Sequence, residues 1–523
     1  MFVNPQGVLK IYRNIPWHSD YEHVRQFNSK EERNAFLEAN KKYGFENFSY
    51  IREQRALRVE INAENLYDCN YISFQNAGFG DRIFCAFITD VKYVNTETSE
   101  IYFVLDYYQT WWYDAVVKQC FVEREHVADD TIGLHTVDEN LDYGELMERR
   151  RGLLHFTNWK ICVKYAPSEY WLLSQEPAWE TQFIDNQPTV YMHEYWNSDS
   201  GVAQMQDDMN TYASSGCVPI SVELYPGDID EIIEDEVEHS INTYMTIPVQ
   251  RYNDFVNPKG THVEEPYTPS NAKLYCYPYT QLTISNQVDT LQTYKWENFQ
   301  ESDTSKLKVL VRVCKANHIS IEITPNLYNT VSPTEPSRIY SLSLTTMPRV
   351  DYQVHDTLGW LKTTLNGLLG SLGTIIGGAT GGGMGAKIGS AVGGGITSAG
   401  GSFIGGLSDK SQTRVGGGNN TALDVRYNMF GFDCRSMSIK AEYAKIIDNF
   451  LTRYGYKVNT LKEPELDSRE RYNYVKTKGA IIENRENHSL PDEAETEIAK
   501  IFDNGVTVWH VNSIGTYGNN PIV

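Results

Sequence analysis

Several groups of side chains in this chain have the types that chemistry uses, and each fails on spacing. The acidic run Asp228, Asp230, Glu231, Glu234, Asp235, Glu236 and Glu238 offers carboxylates to a cation. It lacks the glycine and the ligand positions of an EF-hand loop, so a solvated acidic surface is the stronger reading. His18 and His23 lie five apart near Asp20 and Glu22. Metal-binding histidines on one helix face come at i and i+4, which leaves packing or surface roles. GGGMGAKIGS (381–390) has the glycines and the lysine of a phosphate loop, but Ile388 follows Lys387 where a hydroxyl residue is needed, and no strand precedes it. Eight cysteines (Cys69, Cys85, Cys120, Cys162, Cys217, Cys276, Cys314, Cys434) are scattered without a CxxC pair and read as small hydrophobes with reduced thiols. Among the many carboxylates no pair stands out as a glycosidase's. No catalytic, cofactor-binding or metal-ligating residue is assigned, and no cofactor is expected.

The informative grouping is apolar. Between Asp356 and Asp409 lie 52 residues with no acidic side chain and only two charges, Lys362 and Lys387. They hold 18 of the 38 glycines, and Gly373, Gly377, Gly381, Gly385, Gly389 and Gly393 recur in steps of four, resuming after Thr397 at Gly401 and Gly405. A step of four returns to nearly the same helix face, about 40° further round. Glycines at that step make a groove for another backbone, as in helices packed in lipid. The same glycines cost about 1 kcal/mol each relative to alanine in an aqueous helix. In hydrocarbon the chain must satisfy its own peptide hydrogen bonds, so order in lipid and disorder in water are compatible.

Length agrees: 24 uncharged residues separate Lys362 from Lys387, and 21 more run from Ile388 to Ser408. Each run reaches the ~20 residues that cross a bilayer as a helix. Lys387 would sit at the tip of a hairpin. A flexible linker is the plain alternative. Against it stands the apolar bulk of Leu358, Trp360, Leu365, Leu368, Leu369, Leu372, Ile375, Ile376, Ile388, Val392, Ile396, Phe403, Ile404 and Leu407, the side chains assigned to membrane insertion.

A scaffold must carry this insert. At 523 residues, with 35 tyrosines, ten tryptophans and many Val, Ile and Thr, the chain reads as mainly β with α+β elements, in several domains. The net charge of −22 disfavours nonspecific attraction to DNA or anionic headgroups. The opening MFVNPQGVLKIYRNIPW reads as no secretory signal.

Period-two patterning predicts strands in LRVEINA (57–63), NYISFQNA (70–77), RIFCAFITDVKYV (82–94) and SEIYFVLDYYQTWW (99–112), with a turn at 77–81. Residues 123–152 are polar and expected to be irregular. WKICVKYA (159–166), CVPISVELY (217–225) and LKVLVRVC (307–314) predict further strands, interrupted by polar segments at 256–270 and 325–337. Tyr443, Ile446, Ile447, Phe450, Leu451 and Tyr454 predict a helix over 441–454 that Gly455 stops. IFDNGVTVWH (501–510) reads as a hairpin turning at Asn504-Gly505. The expected domains are 1–125 (N-terminal, β-rich), 126–350 (middle, β-rich), 356–413 (hydrophobic insert) and 414–523 (C-terminal segment with the helix and hairpin).

The blocks NIPWHSDYEHVRQF (14–27), YISFQNAGFGDRIFCAFITDVKYV (71–94), LDYYQTWW (105–112), FVEREHV (121–127), TVDENLDYG (136–144), KAEYAKIIDNFLTRYGYKVN (440–459), RYNYVKTK (471–478) and IFDNGVTVWH (501–510) resemble the tail knob, or distal tail tube, proteins of short-tailed phages with protein-primed linear genomes. The resemblance is strong at both ends and thin through 150–350. It implies a structural protein of the virion's distal tail, made in the host cytoplasm, not an enzyme, assembled as a homohexamer with hub-like β-barrel walls built by the two terminal blocks. It implies that six hydrophobic loops close the tube, then leave it on infection and form a channel in the host cytoplasmic membrane. Implied partners are the proximal tail tube or lower collar protein, a tail-tip protein, membrane lipids, and genomic DNA passing through without specific binding. Six copies of −22 give −132, and an acidic lumen would repel phosphates in transit. A cell-wall-degrading tail-tip enzyme and a secreted pore-forming toxin are the alternatives. The first lacks any Cys/His or metal-spaced signature, and the second lacks a signal peptide.

Overall fold

The structure is a computed structural model that describes residues 7–167, 182–227, 240–249, 267–299, 307–328, 342–351 and 431–523, apart from interior gaps of a few residues. Five helices are named here: α1 (Lys30–Ala39), α2 (Tyr107–Trp111), α3 (Asp199–Ser214), α4 (Ala441–Tyr454) and α5 (Asp492–Asn504). The chain divides into two compact units. The first comprises Met1–Glu145, Glu265–Pro278 and Ile439–Val523, and the second Leu146–Glu264 and Tyr279–Ser438. The fold is mainly β.

In the first unit a seven-stranded sheet has the order Lys41–Glu46, Gly7–Arg13, Cys69–Asn76, Ile83–Asn95, Thr98–Leu105, Ala56–Val59, Ser49–Ile51. Every recorded pairing in it is antiparallel. Successive strand residues face opposite ways, and both faces are apolar. Leu9, Ile11, Ile72, Phe74, Ala86 and Phe103 build one core. Their neighbours Tyr12, Tyr71, Cys85 and Phe87 build another with Trp17, Phe27 and Leu37. Leu37 comes from α1, which Ser29 starts by accepting the Glu32 N–H at 3.2 Å.

The second sheet of this unit has the order His23–Arg25, Val506–Trp509, Tyr472–Lys478, Cys120–Glu125, Tyr456–Lys462. Its one parallel pair joins the two ends of the sequence: His23, Val24 and Arg25 lie beside Thr507, Val508 and Trp509. Val24, Val475, Val506 and Val508 pack there with Ile498 and Phe502 of α5 and with Tyr108 and Trp111 of α2.

Some elements depart from their sequence patterns. The strand expected over 99–112 stops at Leu105, because Asp106 caps α2 through its Oδ1, which accepts the Gln109 N–H at 3.0 Å. The strand expected over 57–63 covers Ala56–Val59, and Asn62 then caps a short turn at Ala63–Asn65. Residues 126–145 lack regular structure, but the expected irregular stretch 123–152 loses its ends to the strands Cys120–Glu125 and Leu146–His155. Residues 77, 79 and 81 of the expected turn lie outside the described residues.

The hairpin expected over 501–510 is corrected. Residues 492–504 are helix α5, and Gly505, at φ +91°, ends it before the strand Val506–Trp509. Asn-Gly followed by apolar residues serves a helix end as readily as a hairpin.

In the second unit one sheet orders Gln182–Ile184, Gln187–Trp196, Trp159–Pro167, Cys217–Pro226 and Arg349–Asp351. Another orders Ser240–Ile247, Leu307–Lys315, Ile319–Pro325 and Leu342–Leu344, and a third Leu146–His155, Gly431–Ile439, Thr280–Ser285 and Leu291–Tyr294. The strands expected at 159–166, 217–225 and 307–314 are all present.

Candidate functional site

All fourteen side chains assigned to membrane insertion, from Leu358 to Leu407, and the glycine ladder from Gly373 to Gly405 lie outside the described residues, within 352–430. The ends of that segment are described, and both belong to the second unit. It leaves from the edge strand Arg349–Asp351, whose residues pair with Glu223, Val222 and Ser221. It returns at Gly431–Ile439, an inner strand between Leu146–His155 and Thr280–Ser285. Phe432 and Cys434 are fully buried there. Asp433, 2% exposed, accepts Arg151 Nε at 2.8 Å and Arg435 Nη2 at 2.6 Å. Burial opposes its charge, but the two guanidinium bonds hold the carboxyl below its ordinary value. The segment is thus flanked by strands of two β-sheets of one unit, and the strand that follows it is fastened by core packing and ion pairs.

Among the described residues no helix is long and apolar enough to cross a membrane, and no group of three His, Cys, Asp or Glu side chains is placed to hold a metal. The acidic run 228–238 lies outside the described residues. His18 is exposed. His23 packs edge-on against Trp509 and accepts its indole N–H at 3.3 Å, so it is a joint between the chain ends. Cys69, Cys85, Cys120, Cys162, Cys276 and Cys434 are buried.

A constellation that the sequence did not mark lies in the first unit, where 126–145 and 267–278 cross α4 and the second sheet. Glu139 accepts Arg124 Nη2 and Lys273 Nζ, and also the Lys457 N–H at 3.0 Å. Lys273 is 5% exposed, and its burial pulls the ammonium below its ordinary pKa against the pull of Glu139. Asp448, on the buried side of α4, accepts Tyr267 Oη at 2.5 Å, the Ser270 and Asn271 N–H groups at 2.9 and 3.1 Å, and Asn271 Nδ2 at 2.7 Å. Asp130 accepts Tyr456 Oη and the Ala272 N–H at 3.1 Å, and burial raises its pKa. His126 accepts the Tyr474 N–H on Nδ1 at 2.7 Å, and its Nε2 donates to the Thr452 carbonyl at 2.9 Å. That tautomer is neutral, and burial holds the ring at about 3.

These groups spend their hydrogen bonds on one another, so the arrangement ties residues 126–145 and 267–278 to α4 and the second sheet. Beside it an open groove of about 940 Å³ runs between the C-terminal half of α4 and residues 517–522. Glu139 and Asp130 fall in a polar stretch, and the one sequence signal available was Asp448, a charge interrupting the apolar spacing of α4.

Known proteins share this plan. Residues 6–116 match the family described as the caudoviral major tail protein N-terminus. Residues 241–520 match the family described as the C-terminal domain of the tail knob protein gp9 of Bacillus phage phi29. The whole tail knob protein gp9 of Bacillus phage phi29 is 24% identical, with 97% of each chain covered. That of Bacillus phage PZA is 26% identical, again over 97% of each. That of Bacillus phage B103 is 25% identical over 98% of each. The fold is that of the tail knob protein gp12 of bacteriophage C1, which matches 99% of this chain and 100% of its own with a TM-score of 0.59 at 15% identity. Since the gp9 C-terminal match alone spans more than half of the 523 residues, and the full-length relatives align from end to end, the chain belongs to the family of phi29-type phage tail knob proteins.

Proposed function

We propose that this chain, a structural component of a phage tail, forms a homohexameric ring at the distal end of the tail tube and carries the membrane-penetrating device in residues 356–413. Six inserts close the lumen before infection. They leave it at the host cytoplasmic membrane, and their glycine faces pack to line a channel for the genome. The observation that carries this reading is a long, nearly uncharged, glycine-stepped segment that begins and ends on strands of a β scaffold in an otherwise acidic tail knob protein. An exposed apolar surface of that size would aggregate, and enclosure in a tube prevents this until release. A surplus of carboxylates facing the lumen lets DNA slide without adhering. The protein acts without a cofactor and catalyses no reaction. It meets the proximal tail tube or lower collar protein at one end and a tail-tip protein or membrane at the other.

Dye release from liposomes by the full-length protein, beside a variant lacking 358–408, across pH 4–8, tests the insert. Release by the full-length protein alone is expected, with assembly of the deleted variant intact. A deletion that abolishes ring assembly, or equal leakage from both proteins, overturns the assignment of membrane activity to this segment.

A further inference from the structure

The groove beside α4 contains a charge imbalance that the chain's own groups leave open. Its two carboxylates are consumed internally: Asp448 by four donors from 267–271, and Asp130 by Tyr456 and Ala272. Its two guanidiniums are not. Arg469 is 9% exposed, its Nη1 reaches the Asn520 carbonyl only at 3.5 Å, and its Nε finds no acceptor. Arg453 is exposed and lies over the Tyr517 ring at 4.3 Å, with no carboxylate partner among the described residues. Desolvating a guanidinium without filling its donors is costly, and a planar carboxylate fills them in pairs. The wall opposite α4 is held in place, since Asn520 accepts the Arg471 and Tyr472 N–H groups at 3.0 and 3.3 Å and donates to the Tyr472 carbonyl at 2.7 Å. The floor is set by the enclosed His126. The cleft is therefore built by fastened groups and presents cationic donors over an aromatic face.

We propose that this groove receives a carboxylate-bearing segment of a second copy of the chain, with Arg453 and Arg469 as its donors and Tyr517 as the stacking wall. The occupant follows from charge: the chain has 68 acidic against 46 basic side chains, so a neighbouring copy presents carboxylates in excess. The inference rests on the ring assembly proposed above and names one contact that makes it.

Sedimentation velocity of the full-length protein tests it, with Arg453→Glu and Arg453→Ala, because Arg453 is exposed. Arg453→Glu is expected to weaken self-association by about tenfold or more, Arg453→Ala by less, both with the wild-type circular dichroism spectrum. A glutamate hexapeptide is expected to dissociate the wild-type assembly, and inorganic phosphate is not. Normal assembly by Arg453→Glu overturns the groove contact while leaving the ring standing. A wild type that stays monomeric overturns ring and groove together. Dissociation by phosphate but not by the hexapeptide assigns the groove to a phosphate and overturns the carboxylate reading.

Discussion

Gly455 stands where α4 must stop, with φ +65° and ψ −158°, a region that only glycine occupies without strain. Its N–H still donates to the Leu451 carbonyl at 2.8 Å, so the turn belongs to the helix end. A Cβ built there would lie 2.2 Å from the Glu125 carbonyl oxygen, 2.3 Å from its carbon and 2.5 Å from His126 N. All three are backbone atoms of the strand end at Cys120–Glu125, and that strand sits between Tyr472–Lys478 and Tyr456–Lys462. They cannot rotate away as a side chain would. Gly455→Ala thus combines a strained backbone, about 1–3 kcal/mol, with an overpacked contact of about the same size, or about 4 kcal/mol together. For a unit of this size that lowers the melting temperature by about 8–16 °C. Gly479→Ala is the control: φ is +71°, but nothing lies within 4 Å of the added atom. It bears the conformational cost alone, about 1 kcal/mol or 2–4 °C. Calorimetry of both full-length variants decides the matter. Melting temperatures within about 2 °C of each other would refute the claim that α4 and the strand are locked backbone to backbone.

Other outcomes follow from the same geometry. Glu139→Gln strips Lys273 and Arg124 of their shared carboxylate and should lower unfolding free energy by about 3–5 kcal/mol in urea; an unshifted midpoint would show that the interlock contributes nothing. Acid should weaken the first unit through His126, whose folded pKa of about 3 lies below its ordinary 6.5. Its contribution is complete above pH 6.5 and is lost as pH falls towards 3, at about 1.4 kcal/mol per unit. Asp106 opposes this: burial raises it from 3.8 to about 6 despite bonds from Tyr71 Oη and Trp17 Nε1, so its ionisation destabilises the fold as pH rises through that window. The measurement is therefore a difference. Between pH 7 and 5 the wild type should lose about 2 kcal/mol more than His126→Gln, and parallel losses would assign the acid sensitivity elsewhere. Leucines at Gly381, Gly385 and Gly389 should leave assembly intact and reduce liposome leakage by blocking close helix packing; undiminished leakage would reduce the ladder to a source of flexibility.

What could be seen in advance was local, and what could not was the joining of distant parts. The strands of the seven-stranded sheet alternate residue by residue, and Tyr71 and Ile72 enter different cores because period two leaves no other choice. The bounds of α4 were legible from apolar spacing and a terminal glycine, but its orientation was only partly so: Ile446, which belongs to the apolar stripe, is 66% exposed, while the charged Asp448 is 2% exposed. A carboxylate is excluded from a predicted core because burying it alone is expensive. Four donors supplied by residues 267–271, some 180 positions away, reverse that balance, and no window of the sequence contains both halves. The false hairpin has a local source, turn chemistry set above periodicity. Asn504-Gly505 ends α5, and the apolar residues on both sides of it, Phe502 and Val506, share a core with Val24 from the other end of the chain. Ala494, Ile498, Ile501 and Phe502 fall at i, i+4, i+7 and i+8, the helical period that separates this segment from a strand, so turn chemistry should yield to periodicity when both are present. The insert is the opposite case: its glycine steps and missing charges stand out within one window of the sequence, whereas the pairing of its two flanking strands does not.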